Sequence, residues 1–488
     1  MNTLPVSHAQ QALALLHRLD PVSPAYHTGA ALVVQAALDA AALQRAVTRL
    51  ARRHDTVRTT FTVAGADLSA DIGSQTAAAP ESGIRCVLED AASVRLEVSR
   101  ADHHDDAAVR SLAQRLVNRP FQLDAAAFRF VAVHLDDRRF LLVMAAHHIA
   151  TDAWSNWLLI RDLLELYRQE RCGEPADLSA AGTYQDFVAR EAALLASARR
   201  TDLAAYWQRT CAGVPAGELP VDHSRPARPG VGATHRIRLT GAELAALRSA
   251  AAGAEVTLFA FLLGCFQALV ARYGGQRSFL LGCPTSVRHT AGSRDVAGNF
   301  VNTLLFRADI NRRTTFLELA TAAYEQVGAG VRASGFPFAL LPPVVRPARS
   351  AGAAVLCRIT FNLIGTAHPE PLLRLLLDPD STTTPVPYAG LLVQPLTVPQ
   401  SEGQLDLAVH IQHGRDSMSV ELRYDTALFE AETVARLAES YRRLLAAAAA
   451  QPDRAVMRTP LFDAAELAEL MRGNGSDLVE RTDHDGAR

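Results

Sequence analysis

The chain contains no lysine. All 49 of its basic residues are arginine, set against 51 acidic ones. A compositional bias toward Arg and Ala accounts for this, yet it has chemical consequences. It removes the phosphate-gripping Lys of a P-loop, a Schiff-base Lys for pyridoxal phosphate, and the catalytic Lys of an adenylating enzyme. The chain is therefore not expected to activate its own substrate with ATP. Cysteine is also sparse: Cys86, Cys172, Cys211, Cys265, Cys283 and Cys357 are scattered, with no C-x-x-C pair. Their mostly apolar surroundings point to reduced, buried thiols in a cytoplasmic protein. A large charge imbalance is missing as well, since the formal net charge is -2, and nothing points to nucleic acid. The longest apolar stretch, Val256 to Ala271, is interrupted by Gln267 and falls short of the roughly 20 residues a bilayer requires. It reads as a buried core helix, so no membrane association is expected. Met1-Asn2-Thr3-Leu4-Pro5 is not a charged leader before an apolar block, so no signal peptide is expected.

What is present is a long chain with 49% hydrophobic residues among 488, enough for two domains of about 200 residues or a little more each. Leu38 to His54 reads as an amphipathic helix capped by Asp39, with Leu43, Val47 and Leu50 at helical spacing. Strand patterns follow at Arg58 to Val63 and Arg95 to Ser99, then a helix from Asp106 to Asn118 and another strand. Alternation of this kind gives an αβα layered half. Small residues and Pro175 between Gly173 and Ala181 place a boundary there. Residues 1–178 form the first expected subdomain, 179–470 the second, and 471–488 a frayed tail. The second part repeats the style, with strands at His235 to Leu239, Ser278 to Pro284, Cys357 to Leu363 and Leu405 to Ile411. Its closing helix spans Phe429 to Leu445, with Val434, Leu437, Tyr441 and Leu444 on one face.

The most informative stretch is His147-His148-Ile149-Ala150-Thr151-Asp152. It follows the apolar run Phe140 to Ala146, which reads as a buried strand. It precedes an apolar-periodic helix that Asp152 is placed to cap. A strand ending in two histidines puts them on opposite faces, one toward a cavity and one in the wall. Such an arrangement suits acyl transfer, in which one imidazole meets a proton leaving a nucleophile. A metal shared by His147, His148 and Asp152 is not expected, because neighbouring strand residues diverge. His103-His104-Asp105-Asp106 reads as a solvated helix cap, and Gly230-Val231-Gly232 lacks the third glycine of a dinucleotide fingerprint.

This stretch resembles the His-His-x-x-x-Asp signature of the condensation-domain superfamily, which includes the peptide-bond-forming domains of nonribosomal peptide synthetases and chloramphenicol-acetyltransferase-like enzymes. Further segments resemble the family in the right order. They are Ser7-His8-Ala9-Gln10-Gln11-Ala12-Leu13, Arg53 to Phe61, Pro120-Phe121-Gln122-Leu123, Tyr184-Gln185-Asp186-Phe187, Leu219-Pro220-Val221-Asp222, and Gly298-Asn299-Phe300-Val301-Asn302-Thr303 with Arg307. Three departures stand out. Ala153 occupies a position that is usually Gly. Only Pro337-Phe338 remains of a longer motif that normally ends in Glu. A late Arg/Ser-rich motif is not recognisable around Arg346 to Ser350.

The resemblance implies two chloramphenicol-acetyltransferase-like αβα sandwich domains forming a V-shaped pseudo-dimer with a central tunnel. It implies His148 as the catalytic residue, His147 as structural, and Asp152 in an ion pair with Arg288. Ala153, Ser155 and Asn302 are candidates to line the channel. No bound cofactor is implied; the phosphopantetheine arm of a carrier protein delivers the acyl thioester, and the acceptor amine arrives from the opposite side. No carrier segment is recognisable, so carrier proteins are the expected partners of a monomer, which is either free-standing or excised from a larger synthetase. Two related readings remain open: ester formation on a hydroxyl acceptor, and a coenzyme A-dependent acyltransferase of the same fold. An Asp-Phe-Gly-Trp-Gly segment is absent, which lowers the second. A catalytically silent docking module is a further alternative, against which His148 and Asp152 argue. No epimerase-type Glu-Gly-His-Gly-Arg segment is found, and a heterocyclising relative would carry Asp-x-x-x-x-Asp in place of the two histidines.

Overall fold

In a computed structural model, the described residues are 3–63, 83–101, 105–226, 230–345, 355–365, 384–396, 398, 405–414 and 417–462. The tail expected at 471–488, His103, His104 and the Arg346 to Ser350 segment lie outside them. The chain opens with β1 (Thr3–Leu4), α1 (His8–Leu19), β2 (His27–Val34) and α2 (Ala40–Arg53). It continues through β3 (Thr59–Val63), β4 (Ile84–Leu88), β5 (Leu96–Arg100), α3 (Asp106–Asn118), β6 (Phe128–Asp136), β7 (Arg139–His147) and α4 (Ala153–Cys172). Then come α5 (Tyr184–Ala196), α6 (Arg199–Cys211), β8 (Gly232–Leu239), α7 (Gly241–Gly253) and α8 (Leu258–Gly274). These are followed by β9 (Ser278–Ser286), β10 (Val301–Asp309), α9 (Phe316–Arg332), α10 (Leu341–Val345), β11 (Ile359–Gly365), β12 (Val386–Tyr388) and β13 (Leu391–Leu396). Last are β14 (Leu407–His413), β15 (Met418–Asp425) and a final helix, α11 (Ala431–Ala450).

Helix starts are written in short polar side chains. Asp39 Oδ1 accepts from the Ala42 amide at α2, and Asp105 caps α3 through the Ala107 and Ala108 amides. Ser7 with Gln10, Thr240 with Glu243 and Thr315 with Glu318 form capping boxes at α1, α7 and α9. Gly173 and Gly275 end α4 and α8 with φ of 76° and 68°, where a side chain would be strained.

Two six-stranded sheets result, in the orders β12-β13-β2-β7-β6-β5 and β10-β9-β11-β14-β15-β8. Each lies against its own apolar core. The first is built on β2, β6 and β7 with α2 and α4, the second on β9, β14 and β15 with α8 and α11. Among the described residues no single helix is long and apolar enough to cross a membrane; α7 and α8 pass together on composition but meet at 101°, and α8 is packed inside the second core.

A contiguous division at residue 178 does not describe the sheets. The hairpin β12–β13, turned by Ala389 and Gly390 at positive φ, joins the first sheet, with Val393 opposite Val34. Leu391 and Val393 are buried in the first core. The later part of the chain thus contributes an edge to the earlier one.

Candidate active site

Strand β7 is central in its sheet, between β2 and β6, and both faces of its apolar run are covered. Every residue from Phe140 to Asp152 is buried except His148. The strand ends at His147, one residue earlier than the sequence pattern implied, and His148 opens a turn of residues 148–150. The alternation argument therefore does not set the two rings apart. The turn does. The Ile149 amide donates back to His147 Nδ1 at 3.1 Å, and the His148 amide donates to the Tyr26 carbonyl at 2.8 Å. Gln10 Nε2 donates to the Ile149 carbonyl and Thr56 Oγ1 to the Ala150 carbonyl, at 3.1 and 2.6 Å. Thr151 Oγ1 donates to Asn156 Oδ1, whose amide donates to Thr28 Oγ1. The imidazole of His148 is held by its backbone alone: among the described residues its ring makes no hydrogen bond. It is left with two nitrogens for a reactant.

His147 sits in the wall. Its ring lies 5.2 Å from His17 and 6.0 Å from His27, its cross-strand partner, while Phe121 stands edge-on to His27 at 4.9 Å. Burial, reinforced by His17, His27 and His148, pushes the His147 pKa down to about 2. Burial and then the Arg129 guanidinium lower His27 to about 4. Both rings are therefore neutral near pH 7, and His147 Nδ1 is free to accept the Ile149 N–H.

Asp152 starts α4 and joins the two lobes. Oδ1 caps the helix through the Ser155 amide at 2.7 Å, and Oδ2 accepts the Phe300 amide at 3.0 Å. Arg288, just past β9, donates Nη2 to both carboxylate oxygens at 3.0 and 3.2 Å. The pair is deeply buried, with side-chain exposures of 3% and 7%. The same guanidinium stacks on the Phe300 ring at 3.9 Å and donates Nη1 to the Ser293 and Val296 carbonyls. Burial lowers the Arg288 pKa while Asp152 raises it.

Ser155 does not line a channel. It is fully buried, and its hydroxyl donates to the Gly298 carbonyl while accepting from the Gly298 amide and Arg288 Nη2. Asn302 spends its amide on the chain that follows α9: Nδ2 donates to the Ser334 and Phe336 carbonyls and Oδ1 accepts from the Phe338 amide. Ala153 is exposed. Among the described residues no three His, Cys, Asp or Glu side chains converge as a metal site.

A cavity of about 470 Å³ opens elsewhere in the first lobe, lined by Arg58, Glu89, Arg95, Arg119, Phe121 and Arg129 among others, and does not include His148. Three of its arginines are already engaged: Arg58 by Asp55 and the Glu89 carbonyl, Arg119 by Glu97, and Arg129 by the Leu116, Arg119 and Pro120 carbonyls. Sequence reasoning missed Gln10 and Thr56 as supports of the turn. Both lie in segments it had singled out, but their bonds span 139 and 94 residues and leave no local signal.

A family model for the condensation domain matches residues 1–471. The chain is 29% identical over 471 residues, 96% of its length, to tyrocidine synthase 2 of Brevibacillus parabrevis. It spans only 12% of that protein. Among solved structures it is similar to the X-domain from teicoplanin biosynthesis, with a TM-score of 0.80, 22% identity, and coverage of 95% of this chain and 98% of that one. It is also similar to AB3403, a four-domain nonribosomal peptide synthetase, with a TM-score of 0.82, 20% identity, and coverage of 96% and 34%.

Proposed function

The chain belongs to the condensation-domain family, with its two-lobed, chloramphenicol-acetyltransferase-like fold, and from that premise we propose that it forms amide bonds in nonribosomal peptide biosynthesis. An acyl or aminoacyl group enters as a thioester on the phosphopantetheine arm of a carrier protein, and a carrier-bound or small-molecule amine accepts it. The reading rests most on one observation: His148 alone breaks a buried run from Phe140 to Asp152, on a turn pinned from four sides, with an unengaged ring.

The chemistry follows from what an imidazole there can do. The amine attacks the thioester carbonyl, the C–N bond forms, and the nitrogen of the tetrahedral intermediate carries a surplus proton. His148 takes that proton as the C–S bond breaks, and returns it to the departing thiolate. A free α-amino group has a pKa of about 7.7–8.0, so a useful fraction is neutral near pH 7 and needs orientation more than deprotonation. A hydroxyl acceptor needs His148 as a full general base, a contribution of about 10²–10⁴-fold. Asp152 and Arg288 hold the turn and the facing lobe in register, and His147 keeps its ring in the wall. The enzyme works in the cytoplasm with carrier proteins as its partners, and needs no resident cofactor.

The test is to incubate the protein with acyl-loaded carriers and amine, alcohol or coenzyme A-linked partners, and to identify products by mass spectrometry. An amide that forms with wild type and not with His148→Ala supports the proposal. An ester alone, or a product only from acyl-coenzyme A, transfers the assignment to the corresponding relative. Carrier binding without any product would favour the silent docking reading, which Ala153 at the usual glycine position keeps in view.

A further inference from the structure

The N-terminal helix reaches the active-site turn through a closed ring of buried hydrogen bonds. Gln10 Nε2 donates to the Ile149 carbonyl at 3.1 Å, while its Oε1 accepts the Ser7 amide at 3.0 Å. Ser7 Oγ accepts the Gln10 amide at 3.2 Å and lies 3.1 Å from the Tyr184 hydroxyl. That hydroxyl donates to the Asn299 carbonyl at 2.6 Å, so its single proton is spent and Ser7 must be the donor between them. The next residue, Phe300, donates its amide to Asp152, and the chain from Asp152 returns through Thr151 and Ala150 to Ile149. Ser7, Gln10, Tyr184, Asn299 and Asp152 are all buried.

Resting on the assignment of His148 as the reacting base, we propose that Gln10 is a positioning residue for His148, held in its donor orientation by the Ser7–Tyr184–Asn299 arm of this ring. The Ile149 carbonyl belongs to the peptide that follows the one joining His148 to Ile149, and its direction sets the plane of the turn on which the imidazole stands. Gln10 is the donor described for it. Burial raises the Tyr184 phenol pKa well out of the titrating range, so that arm keeps its proton at any working pH. The contact is tight on the loop side too: a Cβ at Gly298 would lie 2.0 Å from the Tyr184 ring. Loss of the Gln10 donor frees the 149 peptide to rotate. A displacement near 1 Å at a reacting group is worth about 10²-fold.

One substitution separates positioning from helix capping. Gln10→Glu keeps an oxygen for the Ser7 amide, and so keeps the capping box, but at alkaline pH, where its carboxyl is ionised, it offers Ile149 no donor. The first measurement needs no substrate: the titration and line shape of the His148 ring resonance in protein labelled with ¹³C-histidine, assigned by its disappearance in His148→Ala. We expect the resonance to move or broaden in Gln10→Glu and, to a lesser degree, in Tyr184→Phe. The buried carboxyl of Gln10→Glu faces the Ile149 carbonyl and lowers its denaturation midpoint, so the resonance is read well below that midpoint, and Tyr184→Phe, which adds no charge, is the second variant. The second is single-turnover amide formation with acyl-phosphopantetheinyl carriers and amino-acid amides. The expected result is a 10- to 100-fold fall in rate for Gln10→Glu with carrier affinity unchanged, and a Gln10→Glu/Tyr184→Phe double variant little worse than Gln10→Glu, since both cut one ring. An unaltered His148 resonance in Gln10→Glu, or a rate within twofold of wild type, overturns the assignment, as does full additivity. If His148→Ala itself turns over like wild type, the functional reading fails, and the resonance measurement still decides whether Gln10 sets the ring.

Discussion

Asp152→Ala removes a carboxylate on which three donors converge: the Arg288 guanidinium, the Ser155 amide that opens α4, and the Phe300 amide of the facing lobe. All of it is screened from water, with Asp152 and Arg288 side chains 3% and 7% exposed. Truncation leaves a guanidinium charge buried without its partner, which costs about 3–5 kcal/mol. Loss of the cap alone would account for only ~1 kcal/mol, so the orphaned charge dominates. Against a typical stability of about 5–15 kcal/mol, the variant is expected to unfold at a markedly lower denaturant concentration. Tryptophan fluorescence during urea unfolding is a suitable assay, because Trp154 and Trp157 lie on α4 directly after the clasp. Arg288→Met should be damaging in its own right, since it strands the carboxylate, and Asp152→Ala/Arg288→Met should lose less than the two single losses added together. A soluble Asp152→Ala with an unchanged midpoint, or strict additivity, would refute the claim that the pair acts as one buried unit.

Acid should weaken the fold through the histidine wall. His27 and His147 titrate near 4 and 2 in the native state against 6.5 unfolded, so below pH 6.5 the unfolded chain binds more protons. Stability is complete above that value and falls as the pH drops toward 4 and beyond. For His27 the span is at most ~3 kcal/mol; a flat stability profile from pH 7 to 4.5, or no shallower slope in His27→Phe, contradicts this. Gly29→Ala would put a Cβ 2.2 Å from the Met144 carbonyl oxygen in the β2–β7 ladder. Backbone cannot step aside cheaply, so a loss of about 1–3 kcal/mol is expected in the same unfolding assay, and a neutral outcome would argue against the register. Among the cysteines only Cys172 is exposed, while burial raises the pKa of the Cys86 thiol to about 11 and of the Cys211 and Cys357 thiols to about 12. Iodoacetamide on the native protein should therefore add one adduct by intact mass, and further adducts at native conditions would count against that burial.

Much of the scaffold could be read locally. Asp39, Asp105 and Asp152 announce their helices because an N-cap is a contact within three residues. The apolar run ahead of His147 marks a central strand because both of its faces are covered. What escaped was non-local. No residue in β12–β13 states which sheet it will join, and the strands are short; pairing with β2 is decided by which edge remains open. The same holds for the ends of the site. The bond from the Ile149 amide to the His147 ring stops β7 a residue early, so His148 leaves the strand. Ser155 turns inward because the facing Gly298 backbone offers it a donor and an acceptor together. Asn302, two residues into β10, is claimed by the Ser334–Phe338 segment for the same reason. The partnership of Asp152 and Arg288 was visible only through family resemblance, since 136 residues separate them.

The claim on which the rest depends is that the partly buried imidazole of His148 moves the proton. Single-turnover rates of wild type and His148→Ala, with matched amine and alcohol acceptors on one acyl-carrier thioester, test it most directly. The expected result is a fall in amide formation, a larger fall for the ester approaching about 10²–10⁴-fold, and an unchanged unfolding midpoint, because the ring makes no hydrogen bond among the described residues. Equal rates for the two proteins, or equal losses with both acceptors, would contradict it.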